Sequence, residues 1–147
     1  MANEHRQQPG KPSSDSQYFA EMTKAVFRSG FSWQVIENKW PGFVEAFAKF
    51  DLGRVADFDE RDFERLVQDE RIVRNGRKIQ ASIDNARGMQ SLIAEHGSFH
   101  SYLRSLDSMD YPSRAKVLQK QFKFLGRTGT FTFLWYVGEP VPEWEDR

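Results

Sequence analysis

The sequence predicts an all-α protein, a single helical domain of about eight helices. Three observations carry that reading. Apolar residues recur at three- and four-residue intervals along most of the chain. Glycine, proline and short polar residues separate these periodic runs. The one segment of β composition, Phe131 to Val137, has no partner strand elsewhere in the chain.

Residues 1 to 14 are polar and rich in breakers (Gln7, Gln8, Pro9, Gly10, Pro12) and read as a disordered tail before a domain spanning 15 to 147. Asp15 is placed as the N-cap of a first helix that runs to about Ser29, with Phe19, Met22, Thr23 and Val26 as its buried stripe. Gly30 ends it. A short second helix carries Trp33, Ile36 and Trp40. Pro41 then fits the first turn of a third, with Phe43, Ala46, Phe47 and Phe50. Leu52 to Phe58 is a connector anchored by Val55, and Asp59 or Glu60 opens the next helix, where Phe63, Leu66 and Val67 recur at helical spacing. A long helix follows from about Gly76 to Gly97, its stripe formed by Ile79, Ile83, Ala86, Met89 and Ile93. Ser98 caps a short helix with Phe99, Tyr102 and Leu103. After a loop from Asp107 to Pro112, Ser113 is the expected cap of a helix carrying Ala115, Val117, Leu118, Phe122 and Leu125. Gly126 and Gly129 precede the run Phe131 to Val137, read as a buried helix.

At 147 residues, with 39% hydrophobic and 14% aromatic content, the chain can bury a real core. Its formal net charge is zero, so any nucleic-acid surface has to be local rather than global. There are no cysteines, which excludes disulfides, thiolate catalysis and cysteine-bound zinc. His96 and His100 are spaced i,i+4 but have no third ligand nearby, so no metal and no cofactor is expected. No apolar run approaches the roughly 20 residues that a membrane span needs, and no signal core begins the chain. The expectation is a soluble, cytoplasmic protein.

Local charge is strongest at Arg71, Arg74, Arg77 and Lys78, with no acid between 71 and 78. These residues flank Asn75-Gly76, a pair fitted to a tight turn with positive φ, between two helices. A turn that exposes N–H groups at a helix start, ringed by cations, can seat a phosphate; it can equally be a solvated inter-helix turn. A second basic stretch contains Arg114, Lys116, Lys120, Lys123 and Arg127, with no acid from Tyr111 to Gly138.

An ordered series of short matches then accumulates. Gly30-Phe31-Ser32-Trp33 precedes Phe43-x-x-Ala46-Phe47-x-x-Phe50-Asp51 and Val55-Ala56. Glu64-Arg65-Leu66-Val67-Gln68-Asp69, Ile72-Val73-Arg74-Asn75, Lys78-Ile79-Gln80-Ala81 and Asn85-Ala86-Arg87 follow, then Gly97-Ser98-Phe99 and Phe122-Lys123-Phe124-Leu125-Gly126. From about residue 18 to 130 the order and spacing resemble the DNA-3-methyladenine glycosylase I family, a branch of the helix-hairpin-helix glycosylases. The resemblance implies an all-helical repair fold that extrudes an alkylated purine such as 3-methyladenine from double-stranded DNA and hydrolyses its N-glycosidic bond. It also implies that the hairpin at 71 to 78 holds the DNA backbone.

The departures bear on the site. The family's aromatic-rich N-terminal segment is replaced here by the polar tail, and its zinc, held by two Cys and two His, has no cysteines to bind it. The family's pocket Glu lies eight residues before the Trp of Gly-x-Ser-Trp; that position here is Ala25. Glu21 and Glu37 are the carboxylates one helical turn from Ala25 and Trp33, and they are the catalytic candidates. Trp33 and Tyr18 are the candidates for walls of the base pocket, with plain core packing as the alternative for Trp33. The candidates for gripping the DNA backbone are Arg71, Arg74, Asn75, Gly76, Arg77, Lys78 and Lys123. A catalytically silent DNA-binding or interaction module on the same fold is the competing reading.

Overall fold

Polar side chains open nearly every helix. In this computed structural model, which describes residues 7–30 and 32–147, the helices are α1 (Asp15–Arg28), α2 (Trp33–Ala46), α3 (Leu52–Ala56), α4 (Glu60–Leu66), α5 (Gly76–His96), α6 (Phe99–Arg104), α7 (Tyr111–Gln121) and α8 (Arg127–Tyr136). Short 3-10 turns lie at Ala48–Phe50 and Trp144–Asp146. Ser14, Ser32, Asp51, Asp59, Asn75, Ser98 and Asp110 each accept a backbone N–H from the first turn they precede, groups that would otherwise lack an acceptor. Two caps differ from expectation. Ser14 rather than Asp15 caps α1, which frees the Asp15 carboxylate to accept the Phe99 N–H at 2.8 Å and fasten α6 to α1. Asp110 rather than Ser113 caps α7, with Pro112 in the first turn, where its missing N–H costs nothing.

Three cations close helix C-termini. Lys78 Nζ donates to the carbonyls of Phe27 and Ser29 at the end of α1. Arg65 Nη1 donates to Ala46 O at the end of α2, 3.0 Å away. Arg87 donates to Ala56 O and Phe58 O after α3, at 2.9 and 2.6 Å. Each satisfies carbonyls left open by the helix end and lies at the negative pole of its dipole. The donors on α4 and α5 thereby fix where α1, α2 and α3 stop.

The core is aromatic. Phe27, Phe43, Phe47 and Phe50 are buried; Phe43 and Phe50 stack on Trp40 and on Phe47, and Phe27 meets Phe43 edge to face. Phe99 joins Tyr18, Phe122 and Phe133 on the other side. The run of β composition is helical: Phe131, Phe133, Leu134 and Trp135 are buried on α8, because α1 and α7 cover it and no strand is present among the described residues to pair with it.

Three expectations change. The second and third helices are one, with Pro41 inside α2. Pro41 withdraws the hydrogen bond that Glu37 O would receive, yet Phe43 and Ala46 bury beyond it, and that packing carries the helix through. Leu52–Ala56 is a short helix rather than an irregular connector. The expected tail divides: residues 1–6 lie outside the described residues, while residues 7–14 are irregular but fastened. Gln8 Nε2 donates to Trp135 O and Glu139 O at 3.0 and 2.7 Å, and Lys11 Nζ donates to Gly138 O at 3.0 Å. Gly138 permits this approach: its φ is +75°, and a Cβ there would sit 3.0 Å from Pro9 O.

The same N-terminal segment completes a buried charge cluster. Glu139 is fully buried, accepts from Arg114 Nη2 at 2.9 Å and from Arg104, and pairs with Lys11 at 3.4 Å. Burial pushes its carboxyl up, but the arginines and lysine win and hold it below its ordinary range. These contacts join the two ends of the domain.

Candidate nucleic-acid interface and base cleft

The hairpin between α4 and α5 is set by close packing. A Cβ on Gly42 of α2 would fall 2.4 Å from Arg71 O and 2.6 Å from Arg71 Cβ, so only glycine lets α2 lie against the turn. Ile72 is buried beneath it. Asn75 caps α5 with φ −98°, its Oδ1 accepting from Lys78 N at 3.1 Å, and Gly76 is simply the first residue of the helix. The expected positive φ at Asn75-Gly76 is absent because capping geometry is extended at the cap.

The proposed cations separate into different roles. Arg71 grips Asp69 with two bonds of 3.0 and 2.8 Å, and that hydrogen bonding holds the Asp69 carboxyl below its ordinary value. Its charge is thereby matched within the protein. Lys78 is only 4% exposed and serves the C-terminus of α1, so it is removed from the DNA-facing set; its burial lowers its pKa. Lys123 is exposed but bonded to Asp84 at 2.7 Å. Arg74 and Arg77 remain: both are exposed and make no ion pair among the described residues. They flank the start of a 21-residue helix whose first N–H groups point outward.

The carboxylate candidates also part company. Glu37 pairs with Arg28 at 3.3 Å and Lys24 at 3.6 Å, two cations from the facing side of α1. Glu21 has no such bond among the described residues. Its Oε2 is buried without a hydrogen-bond partner, and burial, opposed by Lys24 and Arg28, raises its carboxyl pKa. It lines a cleft of about 290 Å³ with Pro9, Pro12, Gln17, Ala20 and Tyr136. That is about twice the ~150 Å³ that holds a benzene ring. The Arg28 guanidinium, two turns farther along α1 than Glu21, lies 4.4 Å over the Tyr136 ring.

The two aromatic candidates lie elsewhere. Tyr18 is buried against Phe99, with its hydroxyl 3.4 Å from His100 Nδ1, and lines a different cleft from Glu21. Three residues of helix leave the two side chains about 60° apart, enough to send one to α6 and the other to the N-terminal segment. Trp33 is 43% exposed at the first position of α2 and lines none of the four clefts described. That exposure sets aside plain core packing for it. Ala25, at the position of the family carboxylate, is buried.

Sequence reasoning missed two aromatic residues. Tyr136 ends α8, and its only signal was membership of an apolar run. Phe124 is 43% exposed with φ +57° in the turn between α7 and α8. Nothing in the residue order marks that conformation. Nor do the residues fit a zinc ion: there is no cysteine, and among the described residues no group of three or more His, Asp or Glu is placed to hold one.

Comparison with known proteins agrees with this architecture. Residues 1–122 match the family described as methyladenine glycosylase. DNA-3-methyladenine glycosylase 1 of Escherichia coli (strain K12) is 31% identical, with 88% of this chain and 80% of that protein covered. DNA-3-methyladenine glycosylase of Haemophilus influenzae is 26% identical, over 91% of this chain and 83% of that protein. The solved structure of 3-methyladenine DNA glycosylase I from Staphylococcus aureus superposes with a TM-score of 0.78 at 27% identity, covering 93% of this chain and 84% of that one. The all-helical fold, the hairpin at its edge and the sequence match together place this chain in the methyladenine glycosylase family.

Proposed function

We propose that this protein is a base-excision repair glycosylase that removes an alkylated purine such as 3-methyladenine from double-stranded DNA in the cytoplasm. One observation carries the reading: an exposed pair of arginines without ion pairs among the described residues, and a half-buried carboxylate whose Oε2 has no hydrogen-bond partner, lie along the same helix pair. Lys78, at the start of α5, bonds to the end of α1; Glu21 lies two turns back along α1, about 10 Å away.

Arg74, Arg77 and the first amides of α5 hold the phosphates. The extruded purine enters the cleft of Glu21 and Tyr136. An N3-alkylated purine carries positive charge, so the half-buried Glu21 carboxylate attracts it, and Tyr136 lines the same cleft. The C1′–N9 bond breaks with its electron pair moving into the ring, which neutralises the leaving base. Water bonds to C1′ and loses a proton to Glu21 or to solvent. Little further assistance is required, because the leaving group is already cationic.

Salt dependence of duplex binding tests the grip. Removing two phosphate contacts by Arg74→Ala/Arg77→Ala should flatten the slope of log affinity against log salt by about 1.8. An unchanged slope would remove the hairpin from the interface.

A further inference from the structure

Phe124 is held outward at a conformational cost, and the surrounding bonds show how. Its φ of +57° is one that a side chain with a Cβ rarely adopts. Its neighbours Phe122 and Leu125 are buried, so the chain turns the middle aromatic residue out between two that face in. The turn is pinned rather than loose. Asn85, itself buried, accepts from Lys123 N at 2.7 Å and donates to Lys123 O at 3.0 Å. Lys123 Nζ adds a 2.7 Å bond to Asp84.

These bonds also place the residue relative to the hairpin. Asp84 lies seven residues beyond Arg77 on α5, two turns on and on the same face, about 10 Å along the axis. The Phe124 turn therefore lies about 10 Å along α5 from Arg77, about three nucleotide steps of a duplex strand. The Asp84 carboxylate on this face is matched by Lys123, so the path between hairpin and ring is not closed to a phosphate chain by net negative charge. The hairpin cations attract the sugar-phosphate strand, and an exposed ring at that distance has the geometry to receive one of its bases.

We infer that Phe124 is a stacking platform for an unstacked nucleobase of the bound strand, a positioning residue that keeps the opened DNA against the α5 face. The inference rests on the repair reading above. It is independent of which carboxylate assists the chemistry.

The test uses the full chain and a fluorescently labelled duplex with a single abasic nucleotide, whose neighbouring bases unstack readily. Phe124→Gly and Phe124→Asn accept the left-handed backbone. Both should keep or raise Tm, by about 3 °C for the glycine, while duplex affinity falls about tenfold, within the range of one base–aromatic stack. Phe124→Tyr should retain wild-type affinity. None of the three should change the salt slope, which reports phosphates alone. A ring that merely packs the turn would give the opposite result: lower Tm and affinity that follows only the folded fraction. Wild-type affinity in Phe124→Gly would overturn the inference and leave the repair reading intact. Failure of the wild-type protein to bind the duplex at low salt would overturn both.

Discussion

Glu139→Gln removes one charge from the most enclosed ion cluster of the fold. Glu139 is fully buried, and its partner Arg114 is 5% exposed. The amide keeps the shape but leaves Arg114 without its counter-charge. Breaking a buried pair costs about 3 kcal/mol, and for a chain of this length each kcal/mol moves Tm by about 2–4 °C. Thermal unfolding followed by circular dichroism at pH 7 should therefore show a loss of about 6–12 °C. The pH dependence has a definite sign. The folded carboxyl is held below its ordinary value of 4.5, so its contribution is complete above that value and disappears as pH falls through the folded value. The gap between wild type and variant should narrow as the buffer is taken from pH 5 toward pH 3. Adding Arg114→Leu to Glu139→Gln should recover part of the loss, since an apolar replacement leaves no buried charge. A Tm within 1 °C of wild type at pH 7, or a gap that ignores pH, would refute the claim that this cluster clasps the two ends of the domain.

Lys49 is exposed with φ +56° in a left-handed turn shared with Ala48 and Phe50, so Lys49→Gly should stabilise the protein by about 1 kcal/mol in urea titration. Glu21→Gln should also stabilise at neutral pH: burial raises the folded pKa of Glu21, so its ionised form costs stability above the ordinary carboxylate range, and the variant's advantage should shrink as pH falls and Glu21 protonates. Lys123→Ala should alter the salt slope of duplex binding far less than loss of Arg74 or Arg77, because Asp84 already pairs with Lys123.

The helices were legible where local chemistry decides them. The start of α5 at Gly76 after Asn75, the cap at Ser98 and the helix after Asp59 follow from a polar side chain preceding an apolar stripe. Pro41 misled because its rule is local, whereas aromatic packing on both sides of it is not. The site was less legible for a related reason. A row of Arg and Lys in the sequence does not reveal which cations the protein uses itself. Arg71 turns to Asp69 and Lys78 to the end of α1, contacts that span from two to about fifty residues of chain. Glu21 was visible as a carboxylate one turn from Ala25. Its distinction from Glu37 came only from the two cations of α1 that reach the latter. Tyr136 entered the same cleft because α8 packs on α1, a contact between the two ends of the chain that no short motif encodes.

The central claim is tested most directly by single-turnover release of 3-methyladenine from a methylated duplex. The wild-type protein should liberate the free base, Glu37→Gln should do so at a similar rate, and Glu21→Gln should be slower by about a hundredfold, as for loss of one preorganised electrostatic contact. No release by the wild type, or equal rates for Glu21→Gln and wild type, would contradict the account.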